Sequence, residues 1–285
     1  MKPGFLSEKT IAIIGLGLMG GSLALALRRQ GARIIAYEKD AETIELARKN
    51  KIVDQISNEP ESILWQAEVI ILATPVSAIL DIIQQLPNWY DGSPLVMDMG
   101  STKVEICAAL ERLPARFRAI GGHPLCGKEL SSLKYADEQL FRDAVFALCA
   151  LPSTLPQDRV FAEAIVTSIG ARPYWIEPRL HDQYVAATSH VPYLIANALA
   201  SVVAEEALTL VGPGLRSTTR LAASSLQMMA DIFQTNRQAI LDQLTTYLGQ
   251  LEKLKGLLEP GHEDELMIAL SNGQQQYQRF IRSEA

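Results

Sequence analysis

Short apolar runs alternate with helix-like segments up to about residue 176. The first run, 10–14, ends directly at Gly15, and helical periodicity follows over 18–29 as far as Gly31. Further strands are predicted over 33–38, 69–74, 95–99, 117–120, 145–150 and 172–176, with helices over 40–50, 77–86, directly after 102 and over 157–169. Strands that alternate with helices predict an α/β fold with a doubly wound, mostly parallel sheet.

The pattern changes near residue 179, where strand-like runs stop and helical spacing continues to the end. One long helix is predicted over 180–210, kinked at Pro192 because proline lacks a helical N–H. A glycine-rich break at 212–214 follows, and a later helix over 240–258 carries a leucine-rich stripe. The pattern predicts a sheet domain, 1–177, and an all-helical domain, 178–285. The stripe is too apolar for a helix that faces only water, which predicts a homodimer through the helical domain.

Composition narrows the class of partner and the compartment. The 285 residues are 48% hydrophobic and carry a net charge of −6, which argues against nucleic acid or an anionic membrane surface as a partner. No apolar run approaches the roughly 20 residues of a membrane span. The three cysteines lack metal-type spacing, so no metal site is expected. The N-terminus lacks a signal-peptide core, so the cytoplasm is the expected location.

A glycine-rich turn after the first strand has the form of a dinucleotide-binding turn, Gly15-Leu16-Gly17-Leu18-Met19-Gly20. Gly15 permits the tight turn, Gly17 lets the backbone approach a pyrophosphate, and Gly20 allows close helix–strand packing. Glu38 ends the next strand, 18 residues after Gly20, where a carboxylate binds the ribose of NAD and repels the 2′-phosphate of NADP. The alternative for the glycine residues is a purely structural turn, and the alternative for Glu38 is a solvated acid at a strand end. The adjacent Lys39 weakens the predicted preference for NAD over NADP.

Two further strand ends offer polar groups where open α/β sheets bind ligands. Thr74 and Pro75 either shape a nicotinamide pocket or form a plain turn. Ser101 either bridges a substrate hydroxyl to His123 or caps the helix that follows.

His123 is the candidate base. It is one of four histidines and lies in a predicted loop after the 117–120 strand, far downstream of the glycine turn. An imidazole titrates near pH 6.5, so it can take the hydroxyl proton of an alcohol while a hydride leaves for NAD. This arrangement indicates a dehydrogenase whose activity falls at acid pH near that value.

The helical region adds polar candidates. His181 and His190 are nine residues apart and do not share a helix face closely, which disfavours a metal pair and leaves a role in interhelical hydrogen bonds open. Arg216 and Arg220, at i and i+4, are predicted to share a face that either grips a carboxylate or lies on an ordinary charged surface.

Taken together, these residues resemble the prephenate and arogenate dehydrogenases of tyrosine biosynthesis over nearly the whole chain. The resembling segments are 15–20, 73–75, 98–103, 121–124, 181–182, 189–192, 219–222, 231–233 and 236–237. The resemblance implies a Rossmann-like domain and a helical dimerisation domain that contributes Ser189, His190 and position 193 to the substrate site. It also implies that His123 is catalytic, Ser101 its hydroxyl partner and Arg220 the ligand of a substrate carboxylate. Oxidation at C4 of the cyclohexadienol followed by loss of carbon dioxide gives an aromatic ring and needs no metal.

Tyr193 departs from the family pattern, because many prephenate-using relatives have a histidine there, and Ser217 replaces a frequent acid. Tyrosine carries no positive charge, which leaves prephenate, arogenate or an analogue open as substrate. A 3-hydroxyacid dehydrogenase of the 6-phosphogluconate type also opens with such a turn but uses a catalytic lysine, and 180–250 contains none. A non-enzymatic NAD-sensing protein would leave Ser101, His123 and Arg220 without a joint purpose.

Overall fold

The computed structural model describes residues 6–128 and 132–282. An eight-stranded sheet has the order β3-β2-β1-β4-β5-β6-β7-β8, with every pair parallel except β6–β7. The strands are β1 Thr10–Ile14, β2 Arg33–Tyr37, β3 Gln55–Ser57, β4 Val69–Leu72, β5 Leu95–Asp98, β6 Arg118–Pro124, β7 Val145–Ala150 and β8 Arg172–Trp175. The predicted doubly wound, mostly parallel sheet is confirmed. The short β3 was not predicted from the sequence, because its apolar run is too short.

Helices cover both faces of this sheet. They are α1 Leu18–Arg29, α2 Ala41–Lys49, α3 Glu61–Leu64, α4 Val76–Trp89, α5 Val104–Glu111 and α6 Pro156–Ser168. Alternate side chains of β1 enter different cores, Ile11 and Ile13 on one side, Ala12 and Ile14 on the other. Strands buried on both faces explain why their sequences are continuously apolar.

The strand order reverses between β1 and β4. The chain runs from β1 to β2 and β3 on one side and then crosses to β4 and β5 on the other. Loops leave the carboxyl ends of β1 and β4 in opposite directions, which opens a crevice there. The glycine turn and the segment 73–75 therefore flank the same crevice.

His123 lies inside β6, so the predicted loop at this position is wrong. β6 continues to Pro124 because β7 pairs with it antiparallel, with Gly121 opposite Cys149 and His123 opposite Ala147. A β-carbon on Gly122 would overlap the Asp98 carbonyl oxygen, and one on Gly121 would lie 2.6 Å from the Cys107 sulfur. The two glycines let β6 pack this closely against its surroundings.

The predicted helix over 180–210 is interrupted. It consists of α7 Pro178–Val185, a π-helical turn Ala186–His190 and α8 Val191–Ser201, and a 3₁₀ segment Glu205–Leu210 follows. The irregularity precedes Pro192 because proline offers no N–H to the carbonyl of residue 188. Next come α9 Pro213–Thr218, a 3₁₀ turn Arg220–Ala223 and α10 Leu226–Thr235. Arg216 and Arg220 lie in different elements, so the expected shared helical face is wrong.

The chain forms two compact units, Met1–Arg237 and Gln238–Ala285. Two long helices account for most of the second unit, α11 Arg237–Gly256 and α12 Glu263–Arg282. Of the predicted stripe, Ile240 is buried, whereas Leu241, Leu248 and Leu251 are exposed. Within the described ranges no helix is long and apolar enough to cross a membrane.

A buried ion pair braces β5 against β6. The Asp98 carboxylate and the Lys103 ammonium contact each other with both side chains fully buried. Asp98 also accepts hydrogen bonds from the amides of Gly100 at 2.8 Å and Gly122 at 2.9 Å. The pair therefore fixes the strand that carries His123 relative to the turn after β5.

We expect Lys103→Met to lower the free energy of unfolding by about 3–5 kcal/mol, because it leaves the buried Asp98 charge without its partner. Urea denaturation followed by circular dichroism measures this loss. Lys9→Met is the control, since it breaks the partly exposed Lys9–Glu68 pair and should cost about 0–1 kcal/mol. Equal small losses in both variants would contradict a structural role for the buried pair.

Candidate active site

The glycine turn closes one side of the crevice. Gly15 has φ +92°, and a β-carbon there would lie 2.6 Å from Cγ2 of Thr74. A β-carbon on Gly20 would overlap the Gly15 carbonyl oxygen, whereas one on Gly17 would meet nothing within 4 Å. The turn is thus packed tightly on its protein side and open in front of Gly17. Leu18 and Met19 begin α1, whose first N–H groups receive no side-chain cap from Gly17 and can bind an anion.

Glu38 is held rigidly just after β2. One carboxylate oxygen accepts the Leu16 amide at 2.8 Å, and the other accepts the amides of Lys39 at 2.7 Å and Asp40 at 3.0 Å. A carboxylate offers about four acceptor sites, so one remains for a ligand hydroxyl. The reading of Glu38 as a merely solvated acid does not describe this arrangement.

A cavity of about 220 Å³ adjoins Glu38. Its walls include Gly15, Thr74, Pro75 and Trp89. Among the described residues, the buried hydroxyl of Thr74 has no hydrogen-bond partner, although it can both donate and accept. The open face at Gly17, the remaining acceptor site on Glu38 and the unsatisfied Thr74 hydroxyl all fit a dinucleotide that runs along the crevice.

His123 is the first member of a hydrogen-bonded chain. Its Nδ1 lies 2.9 Å from Nε2 of His181, and the two rings meet edge to face with centroids 5.1 Å apart. Nδ1 of His181 lies 2.7 Å from a carboxylate oxygen of Asp182. Both His181 and Asp182 are buried, whereas His123 is half-buried. This array has the connectivity of an acid, an orienting imidazole and a base.

The surroundings of His123 disfavour its protonated form. Burial is the main cause that holds the pKa of His123 well below its ordinary value, followed by electrostatic repulsion from His181, Lys103 and His190. A base with a lowered pKa remains neutral, and able to accept a proton, further into the acid range. The expected loss of activity near pH 6.5 therefore moves to lower pH.

The Asp182 carboxylate also caps α5. It accepts the backbone amides of Lys103 at 2.7 Å and Val104 at 2.9 Å. These are N–H groups that a helix start leaves without an intrahelical partner. Ser101 is therefore not the cap that it could have been. It lies half-buried between β5 and α5, and within the described residues it has no hydrogen bond to His123.

His190 and Asn236 extend the same cluster. The Asn236 amide nitrogen lies 2.8 Å from the Asp182 carbonyl oxygen and 3.2 Å from Nδ1 of His190. Burial is the main cause that lowers the pKa of His190 to about 4, opposed by Asp182. His190 is thus neutral at pH 7 and keeps a proton on Nε2 when Nδ1 accepts from Asn236.

The remaining predicted substrate residues surround this cluster less closely. Ser189 is exposed in the π-helical turn, and Tyr193 is buried in α8 with its ring 6.0 Å from that of Phe233. Arg220 is exposed at the start of its 3₁₀ turn. Hydrogen bonds through Asn236 tie His190 to the His123 chain, whereas Ser189 and the Tyr193 side chain have none to it among the described residues.

Sequence reasoning left His181 open as an interhelical hydrogen-bonding residue and gave no role to Asp182 or Asp231, which are also buried. The Asp231 carboxylate accepts hydrogen bonds from both the amide and the hydroxyl of Ser77, and so caps α4. The adjacent pair His181-Asp182 in a chain of four histidines was the available signal. Its partner His123 is 58 residues away, and only the packing of the helices brings the two together.

The sequence matches two family descriptions that together span most of the chain. Residues 23–174 match "Prephenate dehydrogenase, nucleotide-binding domain", and residues 177–272 match "Prephenate dehydrogenase, dimerization domain". The prephenate dehydrogenase of Bacillus subtilis (strain 168) is 30% identical over 269 residues, which cover 91% of this chain and 72% of the relative.

Solved structures give the same result. Prephenate dehydrogenase from A. aeolicus, in complex with hydroxyphenyl propionate and NAD+, superposes with a TM-score of 0.89 at 27% identity, covering 97% of this chain and 99% of that one. Synechocystis arogenate dehydrogenase gives a TM-score of 0.81 at 27% identity, covering 95% and 99% respectively.

We expect Glu38→Ser to raise the KM for NAD about 10- to 100-fold, as for the loss of a charge-assisted hydrogen bond, and to narrow the preference for NAD over NADP. Steady-state kinetics with both nucleotides measure the effect. Glu45→Ser is the control, because Glu45 is exposed on α2 and does not line the cavity. A wild-type preference for NADP, or equal effects of the two variants, would contradict the assignment of Glu38.

Proposed function

The chain belongs to the prephenate dehydrogenase family, and from this premise we propose how its residues carry out the reaction. The activity is the NAD-dependent oxidation of prephenate, arogenate or both, with loss of carbon dioxide. The observation that supports our assignment of roles is the half-buried His123 at the end of a hydrogen-bonded chain. It is accompanied by a cavity lined by Gly15, Glu38 and Thr74, whose features fit a dinucleotide.

His123 acts as the base in this proposal. The nucleotide that the glycine turn and Glu38 would hold would supply, when bound, the acceptor for the hydride that leaves C4 of the substrate ring. The imidazole takes the proton of the C4 hydroxyl, so the carbinol becomes a ketone conjugated with the two ring double bonds that adjoin the carbon bearing the ring carboxylate. That carboxylate leaves as carbon dioxide, its bonding electrons pass through the ring to the C4 oxygen, and the resulting phenolate takes back the proton held by His123. The product is 4-hydroxyphenylpyruvate from prephenate or tyrosine from arogenate.

The strand ends position the reacting groups. Gly15, Gly17 and Gly20 shape the pyrophosphate turn, and Leu18 and Met19 supply the first amides of α1. Thr74 and Pro75 are proposed to border the nicotinamide. Ser101 is proposed to contact both cofactor and substrate, because its turn connects β5 to α5 beside His123.

The helical region is proposed to hold the substrate. Arg220 offers a guanidinium for a carboxylate, and Ser189 and His190 offer polar contacts near the base. Tyr193 supplies a hydroxyl without charge, so it attracts the pyruvyl carboxylate of prephenate less than a cationic histidine would. A comparison of prephenate and arogenate kinetics measures the resulting preference.

The functional division follows the predicted domains, with the cofactor on 1–177 and substrate and subunit contacts on 178–285. It differs from the division into compact units, because 178–237 belongs to the same unit as the sheet. The cytoplasm is the proposed location, which suits the three free thiols of Cys107, Cys126 and Cys149.

We predict a homodimer through the helical domain. Leucines of α11 and large apolar side chains of α12 are exposed in the single chain, among them Leu248, Leu251, Met267 and Ile268. Such surfaces favour self-association. Light scattering at micromolar concentration should give twice the chain mass of 31.3 kDa, and a monomer mass would contradict the proposal.

His123→Asn should lower kcat by roughly 10²–10⁴, the usual contribution of a positioned base, with little change in NAD affinity. Absorbance at 340 nm with prephenate and arogenate measures the turnover. In the wild type, kcat/KM should fall as pH drops through the lowered pKa of His123, and this acid limb below pH 6.5 should vanish in the variant because asparagine does not titrate.

Parallel assays separate the competing functions. Turnover of 3-hydroxyacids in place of both cyclohexadienols would support the 6-phosphogluconate type, and NAD binding without any turnover would support a sensor. A His123→Asn variant with normal turnover and the same acid limb would show that another group, with His190 the next candidate, is the base.

A further inference from the structure

We propose that His181 and Asp182 are positioning residues that fix the tautomer of His123, so that Nδ1 carries the proton and Nε2 is the free acceptor. This inference rests on the proposed role of His123 as the base. It gives a role to two polar residues that are buried.

The direction of donation along the hydrogen-bonded chain is set at Asp182. Its carboxylate faces three donors or potential donors, the amides of Lys103 and Val104 and Nδ1 of His181. Backbone amides can only donate, so both carboxylate oxygens are engaged as acceptors. A carboxylate without a proton accepts from its third neighbour as well. Nδ1 of His181 is therefore the protonated nitrogen of that ring.

The same logic passes through His181 to His123. A neutral imidazole carries one proton, so Nε2 of His181 is an acceptor. It lies 2.9 Å from Nδ1 of His123, which must then donate. Nε2 of His123 is left without a proton, as a base requires. Asp182, which is connected to His123 through His181, thus determines which nitrogen of His123 receives the substrate proton.

The arrangement also suits the protonated state. When His123 takes a proton, the bond from its Nδ1–H to His181 becomes charge-assisted and stronger. The Asp182 carboxylate lies one ring beyond. Among the described residues, the other charged or titratable groups that act on His123 are Lys103, which is paired with Asp98, and His190.

Asp182 is itself fixed by its surroundings. Its carboxylate caps α5, and its carbonyl oxygen accepts from Asn236. Substitution of Asp182 would therefore disturb the helix start as well as the chain. His181 is the cleaner position to vary, because the only side-chain hydrogen bonds that it forms among the described residues are those to His123 and Asp182.

Two substitutions at His181 test the proposal. His181→Leu removes the acceptor for His123 and should lower kcat about 10- to 100-fold while leaving the KM for NAD unchanged. His181→Gln offers both an acceptor and a donor and should restore kcat to within about fivefold of the wild type. His262→Gln, at an exposed histidine, is the matched control.

Nitrogen-15 NMR of histidine-labelled enzyme reads the tautomer directly, without any turnover. With four histidines, single His→Gln variants assign the signals. The wild type should show a protonated Nδ1 and a bare Nε2 on His123, and His181→Leu should show a mixture of tautomers. A proton on Nε2 in the wild type, or wild-type kcat in His181→Leu, would overturn the proposal.

The proposed base role of His123 and the proposed positioning role of His181 can be contradicted independently. If His123→Asn keeps its activity, the proposed role of the base is wrong, whatever tautomer NMR records. If His123→Asn is inactive while His181→Leu is fully active, the base stands and the positioning role falls.

Discussion

The capping of α5 by the Asp182 carboxylate is the interaction on which the site depends. A buried carboxylate is tolerated only when donors surround it, and a helix start supplies donors that its own backbone cannot use. Asp182 comes from the helical region, whereas Lys103 and Val104 belong to the sheet region. Each side therefore completes the hydrogen bonding of the other, and His181 is held against His123 as a result.

The same device recurs at the next helix. Asp231 of α10 caps α4 through Ser77, and the hydroxyl groups of Thr102 and Thr235 lie 2.8 Å apart. Both α4 and α5 begin at the carboxyl ends of strands that line the crevice. The helical region thus fixes the starts of both α4 and α5.

Local sequence patterns were sufficient to predict much of the fold. The glycine turn, the acid at the end of β2 and the alternation of strands with helices depend on neighbours within about twenty residues, and their predicted places in the fold agree with the structure. Features that depend on distant partners did not follow. The extension of β6 through His123 requires β7, and the contact between His123 and His181 requires the docking of α7. Pro192 marked an irregularity in its helix, but the pattern did not show that a π-helical turn would precede it.

The close packing around Gly121 and Gly122 has a consequence for how this enzyme can diversify. Neither position admits a side chain without displacing the Asp98 backbone or the Cys107 sulfur, so substitution of either glycine would disturb the strand that carries His123. The short helical turns around Ser189 and Arg220, where side chains are exposed, leave more room for substitution. The structure therefore leaves more freedom for substitution in these turns than at the two glycines of β6.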